Sequence, residues 1–238
     1  MRTEDERAGR LLDAQAKAVA LFDEVVATGI IAAGRGEQAA SDQIRDLANE
    51  MFGTTKHWHK RIVRSGPHTL FPYRENPPDR IIEADDIAFA DFGPIFEEFE
   101  ADLGRTYVLG PDPVKHRLAA DLPVIFGAGR RYFASHPAIT GAQLYAEVGR
   151  LARAAGWSVG NVHAGHLVGN SRTRRSTART SSPTSPPATP PSCAATTSPA
   201  GYATGSWRST SPTPPAGSAA STSSFLTSAD GATAASQP

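Results

Sequence analysis

The composition of this chain changes abruptly between Asn170 and Ser171. Residues 1–170 mix charged, apolar and aromatic side chains, whereas residues 171–238 are almost entirely Ser, Thr, Ala, Pro and Gly. A segment with so few apolar side chains buries too little surface to offset the entropy of ordering it. We therefore predict one folded domain over residues 1–170 and a disordered, low-complexity tail over residues 171–238.

The formal net charge of zero conceals two oppositely charged parts. Residues 1–170 carry 19 Lys and Arg against 23 Asp and Glu, about −4, and residues 171–238 carry five Arg against one Asp, about +4. A basic cluster can indicate nucleic-acid binding. We attribute this cluster instead to the origin of the tail, described below, and expect no nucleic-acid partner.

The single cysteine excludes an internal disulfide and a cysteine-based zinc knuckle. The N-terminus is charged and lacks the apolar core of a signal peptide. No apolar run reaches the 18 residues of a membrane-spanning helix. These features predict a cytoplasmic protein without a membrane partner.

Apolar periodicity predicts two helices at the start of the folded part. The first covers residues 3 to about 28, and the second carries apolar residues at helical spacing from Ile44 to Met51 and ends before Gly53. Residues 54–82, rich in His, Pro and aromatic residues, predict short strands and loops.

The second half of the folded part predicts a hairpin followed by two helices. Residues 86–92 and residues 96–108 are each predicted to form a strand. Together the two strands predict a β-hairpin over residues 84–108 with a wide loop. Helices are expected at about 112–134 and 141–155, the latter capped by Thr140 and closed by Gly156. Short strands around Val159 and Val162 then lead to His166.

Asp91 and Asp102 are eleven residues apart on the two arms of the predicted hairpin. Strand pairing can bring two such carboxylates together, and because neighbouring carboxylates repel, a divalent cation commonly joins them. Two solvated acids at strand ends are the alternative. His166 lies between glycines after a strand-like stretch, where it is either a metal-binding imidazole or an ordinary loop or core histidine.

Three segments together resemble the pita-bread metallopeptidases, which include methionine aminopeptidase, aminopeptidase P, prolidase and creatinase. The segments are Ala90-Asp91-Phe92-Gly93, Glu100-Ala101-Asp102-Leu103-Gly104-Arg105-Thr106 and Gly165-His166-Leu167-Val168-Gly169. The resemblance covers about residues 1–170. It implies an α+β pita-bread fold, incomplete at the C-terminus, and a metal-dependent aminopeptidase of the Xaa-Pro aminopeptidase or prolidase type.

The resemblance also implies a ligand set and a substrate. Asp91, Asp102 and His166 would bind metal in a centre that holds two divalent ions (Mn, Co, Zn or Fe) in the family. Tyr73 stands where the family has a substrate-binding His, with His57, His59 and His68 as nearby candidates that are more readily explained as structural or exposed. A peptide or small amide would be the substrate, and the resemblance is compatible with a homodimer.

The chain departs from the family after His166. The family has a second His seven residues later and then two Glu ligands, whereas this chain has Thr173 and no Glu after Glu147. The expected centre therefore has three of five ligands and is predicted to be under-occupied and inactive as written. A non-catalytic pseudoenzyme or binding module of the same fold is the alternative function.

A one-nucleotide frameshift explains both the departure and the tail. Codons TCC CGC ACG AGA AGA TCG ACG for residues 171–177, preceded by one T, read Phe-Pro-His-Glu-Lys-Ile-Asp and restore the second His. The same frame permits a Glu across Trp207 and Arg208, and another across Thr222 and Ser223. A genuine Pro/Ser/Thr-rich linker or glycosylated stalk is the alternative.

Overall fold

A computed structural model of the protein describes residues 3–160, 166–171, 205–206 and 226–228. The described helices and strands follow one another along the chain in this order: α1 Glu4–Ala27, α2 Glu37–Phe52, β1 Ile62–Ser65, β2 Ile87–Phe92, β3 Ile95–Phe96, β4 Phe99–Glu100, β5 Leu103–Val108, α3 Pro113–Ser135, α4 Gly141–Ala154, β6 Trp157–Val159, β7 His166–Leu167, β8 Gly205–Ser206 and β9 Leu226–Ser228. A short 3-10 helix, Gly66–Leu70, follows β1.

The two N-terminal helices are confirmed. Thr3 begins α1 with a capping box, in which its side chain accepts from the amide of Glu6 and the Glu6 carboxylate accepts from the amide of Thr3. Gly53 ends α2 in the left-handed region, with φ of 66°. That conformation costs a residue with a Cβ energy, so glycine is favoured there.

The central sheet is antiparallel and has the strand order β1-β2-β5. The register pairs Asp91 with Ile62 on one side and with Gly104 on the other. This confirms the predicted hairpin, but the prediction of one strand over residues 96–108 is wrong. The chain instead forms a small hairpin of β3 and β4, turning at Glu97 with φ of 57°, before it enters β5.

Helix α1 covers one face of this sheet. Its buried side chains pack with those of β2 and β5 in one core cluster, and the rings of Phe22 and Phe92 meet edge to face at 6.1 Å. Successive side chains of a strand point to opposite faces. Since Phe92 faces the helix, the preceding Asp91 lies on the other face of the sheet.

Helices α3 and α4 pack against each other and confirm the later helix predictions. Thr140 caps α4 through a capping box with Gln143, and Gly156 follows the helix with φ of 82°. Trp157 of β6 is buried against both helices, and its Nε1 donates to Asp121 at 2.8 Å.

Two short pieces of the C-terminal part pair with earlier strands. Strand β8 is antiparallel to β7, and β9 is antiparallel to β6. The predicted strand around Val162 and the predicted disorder in the remainder of 171–238 lie outside the described residues. Among those described, no helix is long and apolar enough to cross a membrane.

Candidate metal centre

Asp91 and Asp102 lie together on the sheet face that α1 does not cover. Asp91 is the fifth residue of β2, and Asp102 immediately precedes β5. Because Asp91 pairs with Gly104, and Asp102 is two residues from Gly104, both aspartates belong to the same face. Each of them is 1% exposed. The alternative of two solvated strand-end acids is therefore wrong.

A histidine from a different part of the chain completes this cluster. His59 lies in the segment before β1, and its Nε2 is 3.8 Å from Oδ1 of Asp91 and 3.6 Å from Oδ1 of Asp102. One ligand atom from each of the three residues lies within 4.8 Å of the others. The His59 side chain is 5% exposed, so all three ligand atoms are shielded from bulk water.

The other ring nitrogen of His59 is held by the backbone. Nδ1 lies 2.6 Å from the carbonyl oxygen of Lys60. A carbonyl oxygen can only accept, so Nδ1 is the donor and carries the proton. Nε2 is buried and makes no hydrogen bond within the part of the chain that the structure describes. The nitrogen that faces the carboxylates is therefore the one available to a ligand.

The segment that carries His59 is fastened to the end of β2. Trp58 donates from its amide to the Gly93 carbonyl at 2.9 Å, and from Nε1 to the Ala101 carbonyl at 2.8 Å. Its ring also meets the His59 ring edge to face at 4.5 Å. A Cβ on Gly93 would lie 2.5 Å from both Nε2 of His59 and Nε1 of Trp58. Glycine at this position leaves the space that the two rings occupy.

Tyr73 lies at the rim of the cluster. Its ring centroid is 6.3 Å from that of His59, and its side chain is half-exposed. The ammonium group of Lys60 lies 4.6 Å from the Tyr73 ring centroid, and the Lys60 amide donates to the Tyr73 hydroxyl at 3.3 Å. The rim of the acidic cluster therefore presents both an apolar surface, the Tyr73 ring, and a positive charge, the Lys60 ammonium group.

Buried polar contacts fix the loop that carries Tyr73. Glu37 accepts from the Ser65 amide at 2.6 Å and lies 2.9 Å from Nδ1 of His68. The guanidinium of Arg64 donates to the carbonyls of Phe71, Pro72 and Glu75. His68 is thus tied to Glu37 and lies outside the acidic cluster.

His57 also lies outside the cluster, although it is only two residues from His59. Its Nδ1 contacts the Thr55 carbonyl at 3.1 Å, and its ring packs edge to face on Phe92. Burial lowers the pKa of His57 to about 4, so the ring is neutral near pH 7. His57 and His59 both line a cavity of about 350 Å³ beside α2.

The backbone of His166 belongs to β7, and its side chain lies outside the described residues. The chain that follows docks on β4. The Gly169 amide donates to the Glu100 carboxylate at 3.0 Å, and the Glu100 amide donates to the Gly169 carbonyl at 2.9 Å. The segment after His166 thus lies beside the strand that leads to Asp102.

The three-residue cluster suits a divalent cation. Carboxylate oxygen and imidazole nitrogen are the ligands that Zn, Mn, Fe and Co take in proteins. Two atoms that each lie about 2.1 Å from one ion are at most about 4.2 Å apart, and both separations from His59 Nε2 fall within that limit. A second acidic group, Glu83 with Asp85 and Asp86, is less suitable, because Arg80 already pairs with Asp86.

Comparison with known proteins places this chain in a family. The sequence profile of metallopeptidase family M24 matches residues 9–207. The structure resembles the X-Pro aminopeptidase from Thermotoga maritima MSB8, with 22% identity, a TM-score of 0.56 and coverage of 71% of this chain and 47% of that chain. It also resembles the prolidase from Pyrococcus horikoshii OT3, with 23% identity, a TM-score of 0.55 and coverage of 69% and 46%.

A third solved structure is more similar in sequence. The dipeptidase PepE from Mycobacterium ulcerans is 30% identical, with a TM-score of 0.51 and coverage of 67% of this chain and 43% of that chain. The chain thus spans less than half the length of each of these three proteins. No curated protein sequence matches significantly.

The α+β architecture with two buried aspartates on one sheet face defines a pita-bread metallopeptidase fold, and the predicted fold class is confirmed. Since the profile matches more than half of its residues, the chain belongs to metallopeptidase family M24. The family is metal-dependent.

The sequence does not predict that His59 belongs to the cluster. It favours a structural or exposed histidine, with a substitute for the substrate-binding histidine as the alternative. No local sequence signal marks its position, which follows from the strand register. Because β1 runs antiparallel to β2 and Ile62 pairs with Asp91, the residues before β1 extend beyond the C-terminal end of β2, where Asp91 lies.

Proposed function

We propose that the intact form of this protein is a metal-dependent aminopeptidase of the Xaa-Pro aminopeptidase or prolidase type. The observation that carries the proposal is the pair of buried carboxylates, Asp91 and Asp102, on one sheet face of a family M24 fold. Burying two neighbouring negative charges is costly unless a cation compensates them. A divalent cation bound between the two carboxylates would compensate both charges.

Each residue has a defined part in the proposed site. Asp91, Asp102 and His166 hold the metal, as their positions in the family motifs imply. Two divalent ions of Mn, Co, Zn or Fe would activate water and polarise a scissile carbonyl when bound. The buried sheet face excludes bulk water from the carboxylates, and the half-exposed Tyr73 ring provides a surface for a peptide or small amide. A homodimer and a cytoplasmic location remain expectations.

The chain as written lacks two carboxylate ligands, and we propose that a single-nucleotide frameshift after Asn170 removed them. Two findings support this account. The composition changes abruptly between Asn170 and Ser171, and the shifted frame restores the second His and permits two Glu. In the restored frame, the first Glu arises across Trp207 and Arg208, directly after β8.

Sequencing of the DNA from the codon of His166 to that of Thr177 tests the frameshift account. One additional nucleotide after the Asn170 codon would support it. If the DNA sequence agrees with the protein sequence as written, the chain lacks these carboxylates and the frameshift account is wrong.

The second candidate function is a non-catalytic chain that keeps the fold. The absence of any Glu after Glu147 favours this candidate for the polypeptide as written. Such a chain would bind peptides or another protein without hydrolysing them.

Hydrolysis of an Xaa-Pro dipeptide by the two chains tests the proposed function. We expect metal-dependent hydrolysis by the frame-restored chain, and loss of that activity after Asp91→Asn. The chain as written should hydrolyse the dipeptide at least about a hundredfold more slowly, since ligand loss weakens metal sites by such factors. A frame-restored chain that folds and binds metal but does not hydrolyse the dipeptide would favour the non-catalytic candidate.

A further inference from the structure

We propose that His59 is a metal ligand, which together with Asp91 and Asp102 forms a complete one-ion site in the chain as written. This inference rests on the proposed metal centre and extends it. It needs neither the side chain of His166 nor any residue of the C-terminal part. The chain as written would therefore bind one divalent ion where the family motifs alone predict an incomplete site.

The first argument is distance. Nε2 of His59 lies 3.8 Å and 3.6 Å from the two carboxylate oxygens. Hydrogen bonds between nitrogen and oxygen are about 2.7–3.2 Å long, so these are not direct hydrogen bonds. The separations are instead those of atoms that share one ion with bonds of about 2.1 Å.

The second argument is the orientation of the ring. The Lys60 carbonyl accepts from Nδ1 of His59, so Nε2 is the ring nitrogen that faces the two carboxylates. Metal-binding histidines commonly donate their other N–H to a backbone carbonyl in this way, and that contact orients the ring.

The third argument is that the fold positions the ring from two sides. Trp58, immediately before His59, is hydrogen-bonded to the carbonyls of Gly93 and Ala101. These two residues flank the aspartates in sequence, since Gly93 is two residues after Asp91, and Ala101 precedes Asp102. The missing Cβ of Gly93 leaves the space in which Nε2 lies. The same contacts therefore fix the histidine relative to both carboxylates.

A structural histidine would not need this arrangement. His57 provides the comparison, because its Nε2 is also buried and its Nδ1 also contacts a backbone carbonyl, that of Thr55. It packs on Phe92 and belongs to no group of acidic side chains among the described residues. His57→Phe is therefore a matched control for His59→Phe.

Binding of Mn²⁺ to the full chain as written tests the inference. The metal-stripped protein is titrated with Mn²⁺ by electron paramagnetic resonance, and pulsed measurements detect ¹⁴N coupled to the bound ion. We expect one Mn²⁺ per chain with imidazole ¹⁴N coupling. His59→Phe should remove the ¹⁴N coupling of its imidazole and weaken binding at least about tenfold, whereas His57→Phe should leave both unchanged.

Three outcomes separate the two proposals. If Mn²⁺ binds and Asp91→Asn abolishes binding, but His59→Phe leaves both the ¹⁴N coupling and the affinity unchanged, the role of His59 is refuted and the metal centre stands. If the unsubstituted chain binds no Mn²⁺, the one-ion site is refuted while hydrolysis by the frame-restored chain still tests the proposed function. A folded unsubstituted chain that binds Mn²⁺ without ¹⁴N coupling also refutes the role of His59.

A second variant avoids dependence on the folding of His59→Phe. Gly93→Ala retains all three proposed ligands but places a Cβ where the His59 ring lies. It should weaken Mn²⁺ binding and reduce the ¹⁴N coupling. Gly9→Ala is its control, because a Cβ at Gly9 meets no atom within 4 Å. Equal Mn²⁺ affinity and equal coupling in the two glycine variants would contradict the proposal.

Discussion

Replacing Asp102 with Asn should stabilise the metal-free protein and at the same time remove its stabilisation by metal. Asn has nearly the same shape as Asp but no charge. In the metal-free protein the substitution removes one of two like charges that share a buried site. In the metal-loaded protein it removes a ligand. The two effects have opposite signs, which a purely structural role of Asp102 does not predict.

The magnitude follows from the separation of the ligand atoms. They lie within 4.8 Å of one another, and at that distance and an effective dielectric constant of about 20, two unit charges repel by about 3.5 kcal/mol. Relaxation of the surrounding structure recovers part of this energy. We expect Asp102→Asn to raise the free energy of unfolding of the metal-free protein by about 1–2 kcal/mol.

Metal should reverse the order of the two proteins. A ligand present at 100 times its dissociation constant stabilises the folded state by about 2.7 kcal/mol. The unsubstituted chain should gain this amount in Mn²⁺, and Asp102→Asn should gain almost none. Urea denaturation followed by circular dichroism, in EDTA and in Mn²⁺, measures both effects. The reasoning fails if Asp102→Asn destabilises the metal-free protein, or if Mn²⁺ stabilises the variant as much as the unsubstituted chain.

Three further predictions concern the core, a helix cap and the rim of the site. Phe22→Ala should lower the free energy of unfolding by about 3–5 kcal/mol, because Phe22 is fully buried against Phe92; a loss below 1 kcal/mol in urea denaturation would contradict this packing. Thr140→Ala should cost about 1 kcal/mol by the same measurement, because it removes the cap of α4, and no change would refute the capping role. Tyr73→Ala in the frame-restored chain should raise KM for an Xaa-Pro dipeptide several-fold at unchanged metal content, since the ring borders the site. An unchanged KM would exclude Tyr73 from substrate binding.

The helices and the central hairpin could be predicted from sequence because their signals are local. Apolar spacing and the caps Thr140 and Gly53 place the helix ends close to those observed. The division of residues 96–108 could not be foreseen. The turn that divides them is centred on Glu97 in a left-handed conformation, and no Gly or Asn marks that position.

The aspartate pair could also be predicted, because a hairpin makes the two positions near neighbours. His59 could not, since its position depends on the register of β1 against β2 and on contacts of Trp58 with Gly93 and Ala101. These contacts join residues more than 30 positions apart in the chain. Periodicity carries no information about such pairs.

An anomalous difference map from crystals of the protein grown with Mn²⁺ tests the metal centre most directly. The account predicts a peak between Asp91 and Asp102, at bonding distance from both carboxylates and from Nε2 of His59. No peak at this site, or a peak only at Glu83, Asp85 and Asp86, would contradict it.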